Sequence, residues 1–211
     1  MPNEGSPSPI PDDHGPSGQT GAVVANITYG SAIPGEAELR LCGDVGDAKR
    51  AVELGVSEWM NSIAFARAGA RAIAVDPRHE QISDLRRRAE QAEVSVQCHE
   101  TGLADLGAIT SGTCDVVVAA QTLGDVDDLG RLLRQVHRIL GPSMPFVIST
   151  SHPFQSVSTD RHYGIGDRSI GEWFTALGRA NFRVDQVIEL GVGAAGPIPT
   201  TLILRARKEG S

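Results

Sequence analysis

Aromatic side chains are scarce in this 211-residue chain, with two tryptophans, two tyrosines and five phenylalanines. So few rings offer no obvious stacking platform for a planar substrate. Cysteine is rarer still. Cys42, Cys98 and Cys114 are odd in number and widely spaced, which excludes a disulfide framework and the paired spacing of a zinc site and points to reduced thiols. No apolar run approaches the roughly 18 residues of a membrane-crossing helix. The opening residues lack the charged and apolar regions of a signal peptide, so the expected compartment is the cytoplasm. No basic block breaks the formal charge of −7, which argues against a nucleic-acid partner. The run Arg86-Arg87-Arg88 is the one candidate for a phosphate contact, and a solvated helix face is its plainer reading.

What the chain does have is glycine, at 24 residues, within an ordinary balance of 40% hydrophobic and 21% charged residues. This composition suits one globular domain with many tight turns. Residues 1–22 hold five prolines, four glycines and three serines. Such a segment buries too little apolar area to offset its ordering entropy, and a disordered tail is expected there, ahead of a domain over 23–211.

From residue 50 the pattern alternates. RAVELGV (50–56) reads as a buried strand, followed by a helix over 58–69 with Trp59, Ile63 and Ala66 on one face. RAIAVDP (71–77) is a second strand, and a helix over 78–92 carries Ile82, Leu85 and Ala89 on one stripe, with Pro77 at its favoured first position. SVQCHE (95–100) and CDVVVAA (114–120) are the third and fourth strands. Leu129, Leu132, Leu133, Val136, Ile139 and Leu140 line one face of a helix that Gly141-Pro142 stops. MPFVIST (144–150) is the fifth strand, and Ser169 with Glu172 forms a capping box for a helix through Trp173 and Leu177. Alternating strands and helices imply a parallel sheet covered on both faces. The last two strands, 182–190 and 200–207, are joined by only GVGAAGPIP. A parallel crossover needs about a dozen residues or more, so strand 200–207 should run antiparallel.

In an open doubly wound sheet, ligands bind beyond the carboxyl ends of the strands at the topological switch point. Gly55, with Val56, gives the tight turn after the first strand, where backbone amides can hold an anion. Asp76 ends the second strand 21 residues further on, the spacing at which a carboxylate accepts hydrogen bonds from ribose hydroxyls. Its other reading is an N-cap ahead of Pro77. The G-x-G-x-x-G pattern is degraded, since Ser57 and Met60 stand at its later glycine positions. That departure weighs against a pyrophosphate cofactor such as NAD or FAD.

AVELGVSEWMNSIAFARAGARAIAVDPRHEQI resembles the first two motifs of class I S-adenosylmethionine-dependent methyltransferases, here of the type 11 kind with a degenerate glycine-rich loop. CDVVVAAQTLGDVDDLGRLLRQVHRILGP resembles their fourth motif and the helix after it. The resemblance covers about residues 26–207. It implies an α/β fold, a Rossmann-like doubly wound seven-stranded sheet whose last strand is antiparallel. It also implies S-adenosylmethionine as cofactor and, as activity, methyl transfer (EC 2.1.1.-) to a small-molecule acceptor, with no metal, nucleic acid or membrane involved. Matched to the family's motifs, Glu53, Gly55 and Val56 hold the methionine part of the cofactor, Asp76 the ribose, and Pro77 lies beside the adenine. Gly102-Leu103 stand where the family often has an acid contacting the adenine amine, and Gln121 lies under the transferring methyl group. A non-catalytic methyltransferase-like binding or regulatory protein is the alternative that the altered loop suggests. His152, just past the fifth strand, is the candidate catalytic base, against a loop histidine fixed by Pro153. Residues 155–168 should form a short substrate lid, leaving the pocket open or completed by a partner chain, as in a homodimer.

Overall fold

The computed structural model describes residues 26–46, 48–124, 126–155, 163, 168–191 and 198–210. The tail over 1–22 lies outside them. Among the described residues the elements run α1 (Glu36–Leu39), β1 (Arg50–Leu54), α2 (Asn61–Arg67), β2 (Arg71–Asp76), α3 (His79–Gln91), β3 (Val96–Glu100), β4 (Val116–Ala120), α4 (Leu129–Ile139), β5 (Pro145–Ser151), α5 (Ile170–Arg179), β6 (Phe182–Leu190) and β7 (Thr201–Lys208).

All seven strands form one sheet, ordered β3-β2-β1-β4-β5-β7-β6. The strands from β3 to β5 pair in parallel, and β7 is antiparallel to both β5 and β6. The chain order reverses between β1 and β4, which makes that pair the switch point. Because side chains alternate across a strand, Val52, Leu54, Ile73 and Val117 pack on one face with Leu132, Leu133 and Val136 of α4 and with Trp173 and Leu177 of α5. Ala51, Ala72 and Val116 face the other way, onto Phe65 of α2, and Ala74 meets Ile82 and Leu85 of α3 beside them. Strands buried on both faces explain the nearly unbroken apolar runs of β1, β2 and β4.

Several boundaries differ from the sequence reading, each for a local reason. β1 stops at Leu54 because Gly55 turns into the left-handed region, φ 79°. The helix expected over 58–69, α2, begins at Asn61, since Met60 before it adopts φ 47°, and Trp59 therefore lies outside it. Pro77 precedes the extended residue Arg78, which is the N-cap of α3, so neither Pro77 nor Asp76 holds the terminal position expected of it. The capping box of α5 is present, with Ser169 and Glu172 exchanging side-chain and backbone hydrogen bonds. Arg86, Arg87 and Arg88 are exposed on α3, and Arg87 and Arg88 both pair with Asp84 one turn earlier.

At the far edge, a register shift between Val184 and Gln186 leaves Asp185 bulged out of the β6–β7 ladder. Its carboxylate accepts from Arg205 Nε at 2.8 Å and Nη2 at 3.0 Å, and from Arg207 Nε at 2.6 Å. Burial raises the Asp185 carboxyl, but hydrogen bonds from the two guanidiniums outweigh it and hold it below the ordinary range. A depressed carboxyl adds stability above the unfolded-state value of about 3.9 and loses it as pH falls through the folded-state value. Asp185→Asn should therefore lower stability at pH 7 by about 1–2 kcal/mol. The deficit should shrink below about pH 4, as read from urea midpoints at both pH values. A deficit independent of pH would assign the loss to geometry rather than charge.

Candidate cofactor cleft

β1 reaches the switch point carrying a buried acid. Glu53 is 0% exposed and lies beneath the start of α2, on the sheet face that α2 and α3 cover. Its Oε1 accepts from Asn61 N at 3.0 Å and, more loosely, from Ser57 N and Oγ at 3.4 and 3.3 Å. Its Oε2 accepts from Ser62 N at 2.9 Å and Ser62 Oγ at 2.6 Å. Helix amides left without an intrahelical partner need such acceptors. A carboxylate meeting them replaces the missing N-cap side chain. Burial pushes the Glu53 carboxyl up, and the hydrogen bonds from Ser62, Asn61 and Ser57 act against that rise.

Gly55 follows with a conformation only glycine adopts freely. Its N–H donates to Val75 O at 2.8 Å, and a Cβ placed there would lie 2.4 Å from Cβ of Thr122. Thr122 in turn donates from Oγ1 to Leu54 O at 2.6 Å. The ends of β1, β2 and β4 are thereby tied into one rim. Gln121, next along that rim, is exposed and holds φ 60°, a left-handed conformation uncommon for its residue type. It donates from Nε2 to Ser149 Oγ at 3.0 Å, while Ser149 Oγ donates to Tyr29 O.

Asp76 closes the rim at the end of β2. Its side chain is 1% exposed. One carboxylate oxygen accepts from Arg78 N at 2.8 Å and Arg78 Nε at 2.9 Å; the other accepts from Val56 N at 2.7 Å and Arg78 Nη2 at 2.7 Å. Burial raises its carboxyl, but the side chain and backbone of Arg78 and the amide of Val56 together bring it below the usual carboxylate range.

Gly55, Val56, Asp76, Pro77, Leu103 and Gln121 line one cleft of about 780 Å³. A volume of roughly 300–1,000 Å³ is that of a small-ligand site. Of the other residues expected from sequence, Glu53 is sealed beneath the loop, and Gly102 does not appear in the lining although its neighbour Leu103 does. His152 does not line this cleft. It is 0% exposed, its Nε2 lies 2.8 Å from Glu189 Oε1, and its Nδ1 accepts from Phe154 N at 3.2 Å. Both ring nitrogens are thus engaged inside the protein and neither faces the cleft. The segment read as a lid lies outside the described residues except for Gln155, Tyr163 and Arg168. Three lining residues that motif reasoning passed over are Glu58, Arg78 and Thr122. All three lie within the quoted motifs, but no spacing rule marks them.

Residues 52–148 match the family described as a methyltransferase domain. A ubiquinone biosynthesis O-methyltransferase of Azorhizobium caulinodans is 28% identical over 152 residues, 70% of this chain and 58% of that protein. The chain thus spans less than two thirds of that relative's length. Geranyl diphosphate C-methyltransferase of Streptomyces coelicolor A3(2), solved with Mg2+, geranyl diphosphate and S-adenosyl-L-homocysteine, superposes with TM-score 0.68 at 16% identity, covering 82% of this chain and 78% of that one. The cyclase SpnF superposes with TM-score 0.64 at 15% identity, covering 79% of this chain and 76% of that one. At such identities the likeness is one of fold, and the fold alone does not fix the reaction.

Proposed function

From the likeness of residues 52–148 to a methyltransferase domain, we propose that this chain is a class I enzyme that transfers a methyl group from S-adenosylmethionine to a small-molecule acceptor. The observation that carries the proposal is the convergence of Gly55, Asp76 and Gln121, from the ends of three adjacent strands, on one cleft at the switch point. Gly55 leaves room where a side chain would strike Thr122, Asp76 brings a carboxylate to the rim, and Pro77 and Leu103 add apolar side chains to the lining.

When bound, the cofactor supplies an electrophilic methyl carbon on a sulfonium. The task left to the protein is to hold acceptor and donor in line, so positioning supplies most of the catalysis. Glu53 contributes by fixing the turn between β1 and α2, and Gln121 by presenting an amide at the end of β4. His152, sealed against Glu189, is better suited to anchoring the β5 end than to taking a proton. The O-methyltransferase relative and the geranyl diphosphate neighbour both favour a small-molecule acceptor. No helix among the described residues is long and apolar enough to cross a membrane, which fits the cytoplasmic location that belongs to this reading. Closure of the acceptor side by a second copy belongs to it as well.

Thermal melting tests the cofactor class. S-adenosylhomocysteine at about 100 times its Kd should stabilise the fold by about 2.7 kcal/mol, a rise in Tm of roughly 5–10 °C for a domain of this size. NADH should leave Tm unchanged. A shift with NADH and none with S-adenosylhomocysteine would reassign the cleft to a nucleotide-dependent oxidoreductase.

A further inference from the structure

Asp76 presents an obstacle to the reading above. A carboxylate offers about four acceptor positions, and here all four are filled. Two are taken by backbone amides, Val56 N and Arg78 N, which belong to the turns that frame the cleft. The other two are taken by one guanidinium, with Nε of Arg78 on one oxygen and Nη2 on the other. Withdrawal of the Arg78 side chain would therefore open one acceptor on each oxygen and leave both backbone bonds in place. Two adjacent acceptors on one carboxylate match the two vicinal hydroxyls of a ribose.

The remaining contacts of Arg78 suit such an exchange. Its Nη2 also donates to Val56 O at 2.9 Å, so the guanidinium bridges from β2 back to the loop after β1. Its side chain is nonetheless 56% exposed and lines the cleft. It can swing into water and stay solvated, whereas Asp76 has no such freedom.

We propose that Arg78 is a latch on the cofactor site: its guanidinium occupies the ribose-binding positions of Asp76 in the free protein, and a ligand bearing a ribose diol must displace it to bind. The proposal rests on the cleft being the cofactor site. Arg78 is then a positioning residue that keeps Asp76 ionised and correctly turned while the cleft is free, at the expense of affinity. Only ligands able to replace both guanidinium bonds gain full access to the carboxylate, which makes the latch a filter for an intact ribose.

A double-mutant cycle on S-adenosylhomocysteine affinity tests it. Arg78→Met keeps the stem and removes the fork. In the Asp76 background it should tighten S-adenosylhomocysteine about 3- to 10-fold, as expected for loss of a half-exposed, bidentate competitor. In an Asp76→Ala background the same substitution should change the Kd less than twofold, because nothing remains to be unlatched. Asp76→Asn replaces Asp76→Ala if the alanine variant does not fold. Unchanged or weaker binding in Arg78→Met alone would overturn the latch and leave the cofactor reading standing. An equal gain in both backgrounds would also overturn it, by showing that Arg78 acts without Asp76. Absence of binding in every variant, wild type included, would remove the cofactor reading and the latch together.

Discussion

Glu53→Ala should destabilise the protein by about 3 kcal/mol, a large share of the roughly 5–15 kcal/mol that holds a domain folded. The carboxylate is sealed from water, and the amides of Asn61 and Ser62 that it satisfies belong to residues that are themselves fully buried. A buried donor stripped of its acceptor costs about 1–3 kcal/mol, and two are stripped here along with the Ser62 hydroxyl. Water entering the vacated volume recovers part of that loss. Glu53→Gln should cost less, about 1–2 kcal/mol: the Ser62 hydroxyl can turn to accept from the new amide, but a backbone N–H cannot. Because burial raises the Glu53 carboxyl, its contribution is greatest below the unfolded-state value of about 4.3 and declines as pH rises through the folded-state value. The Gln variant should therefore compare less well with the wild type at pH 4 than at pH 7. Urea midpoints with unchanged m-values measure both. A Glu53→Ala variant within 0.5 kcal/mol of wild type would contradict the capping role, since about that much is what an ordinary surface change costs.

The second large effect belongs to Asp76. Asp76→Ala removes a charged acceptor for two ribose hydroxyls, and hydrogen bonds to charged groups contribute roughly 1.5–3 kcal/mol. Cofactor affinity should fall by about 10- to 150-fold, toward the lower end because the variant no longer has to release Arg78. Stability should also fall, by about 1–2 kcal/mol, since the carboxylate joins the amides of Val56 and Arg78 across two turns. Stability alone therefore does not separate the roles; affinity does. An Asp76→Ala variant that melts lower but binds S-adenosylhomocysteine as wild type would leave Asp76 a turn-holding residue only.

Much of the fold was legible because its determinants are local. The apolar runs at 50–56, 71–77 and 114–120 became three neighbouring strands, and the nine-residue connection before strand 200–207 was too short for a parallel crossover. The antiparallel β7 follows from that length. The capping box at Ser169 and Glu172 lies within one turn and was equally readable. Details set by distant partners were not. The start of α2 depends on Glu53, eight and nine residues earlier and on another element. The burial of His152 depends on Glu189, 37 residues away. The bulge at Asp185 answers two arginines on the opposing strand. At the cleft, spacing brought Gly55, Asp76 and Gln121 to one rim, but it carried no sign that Arg78 would cover the carboxylate.

Isothermal titration of S-adenosylhomocysteine into the wild-type protein tests most directly whether this cleft is a cofactor site. One saturable site per chain is expected, displaced competitively by S-adenosylmethionine. No saturable heat up to millimolar ligand, from protein that is folded by circular dichroism, would contradict it.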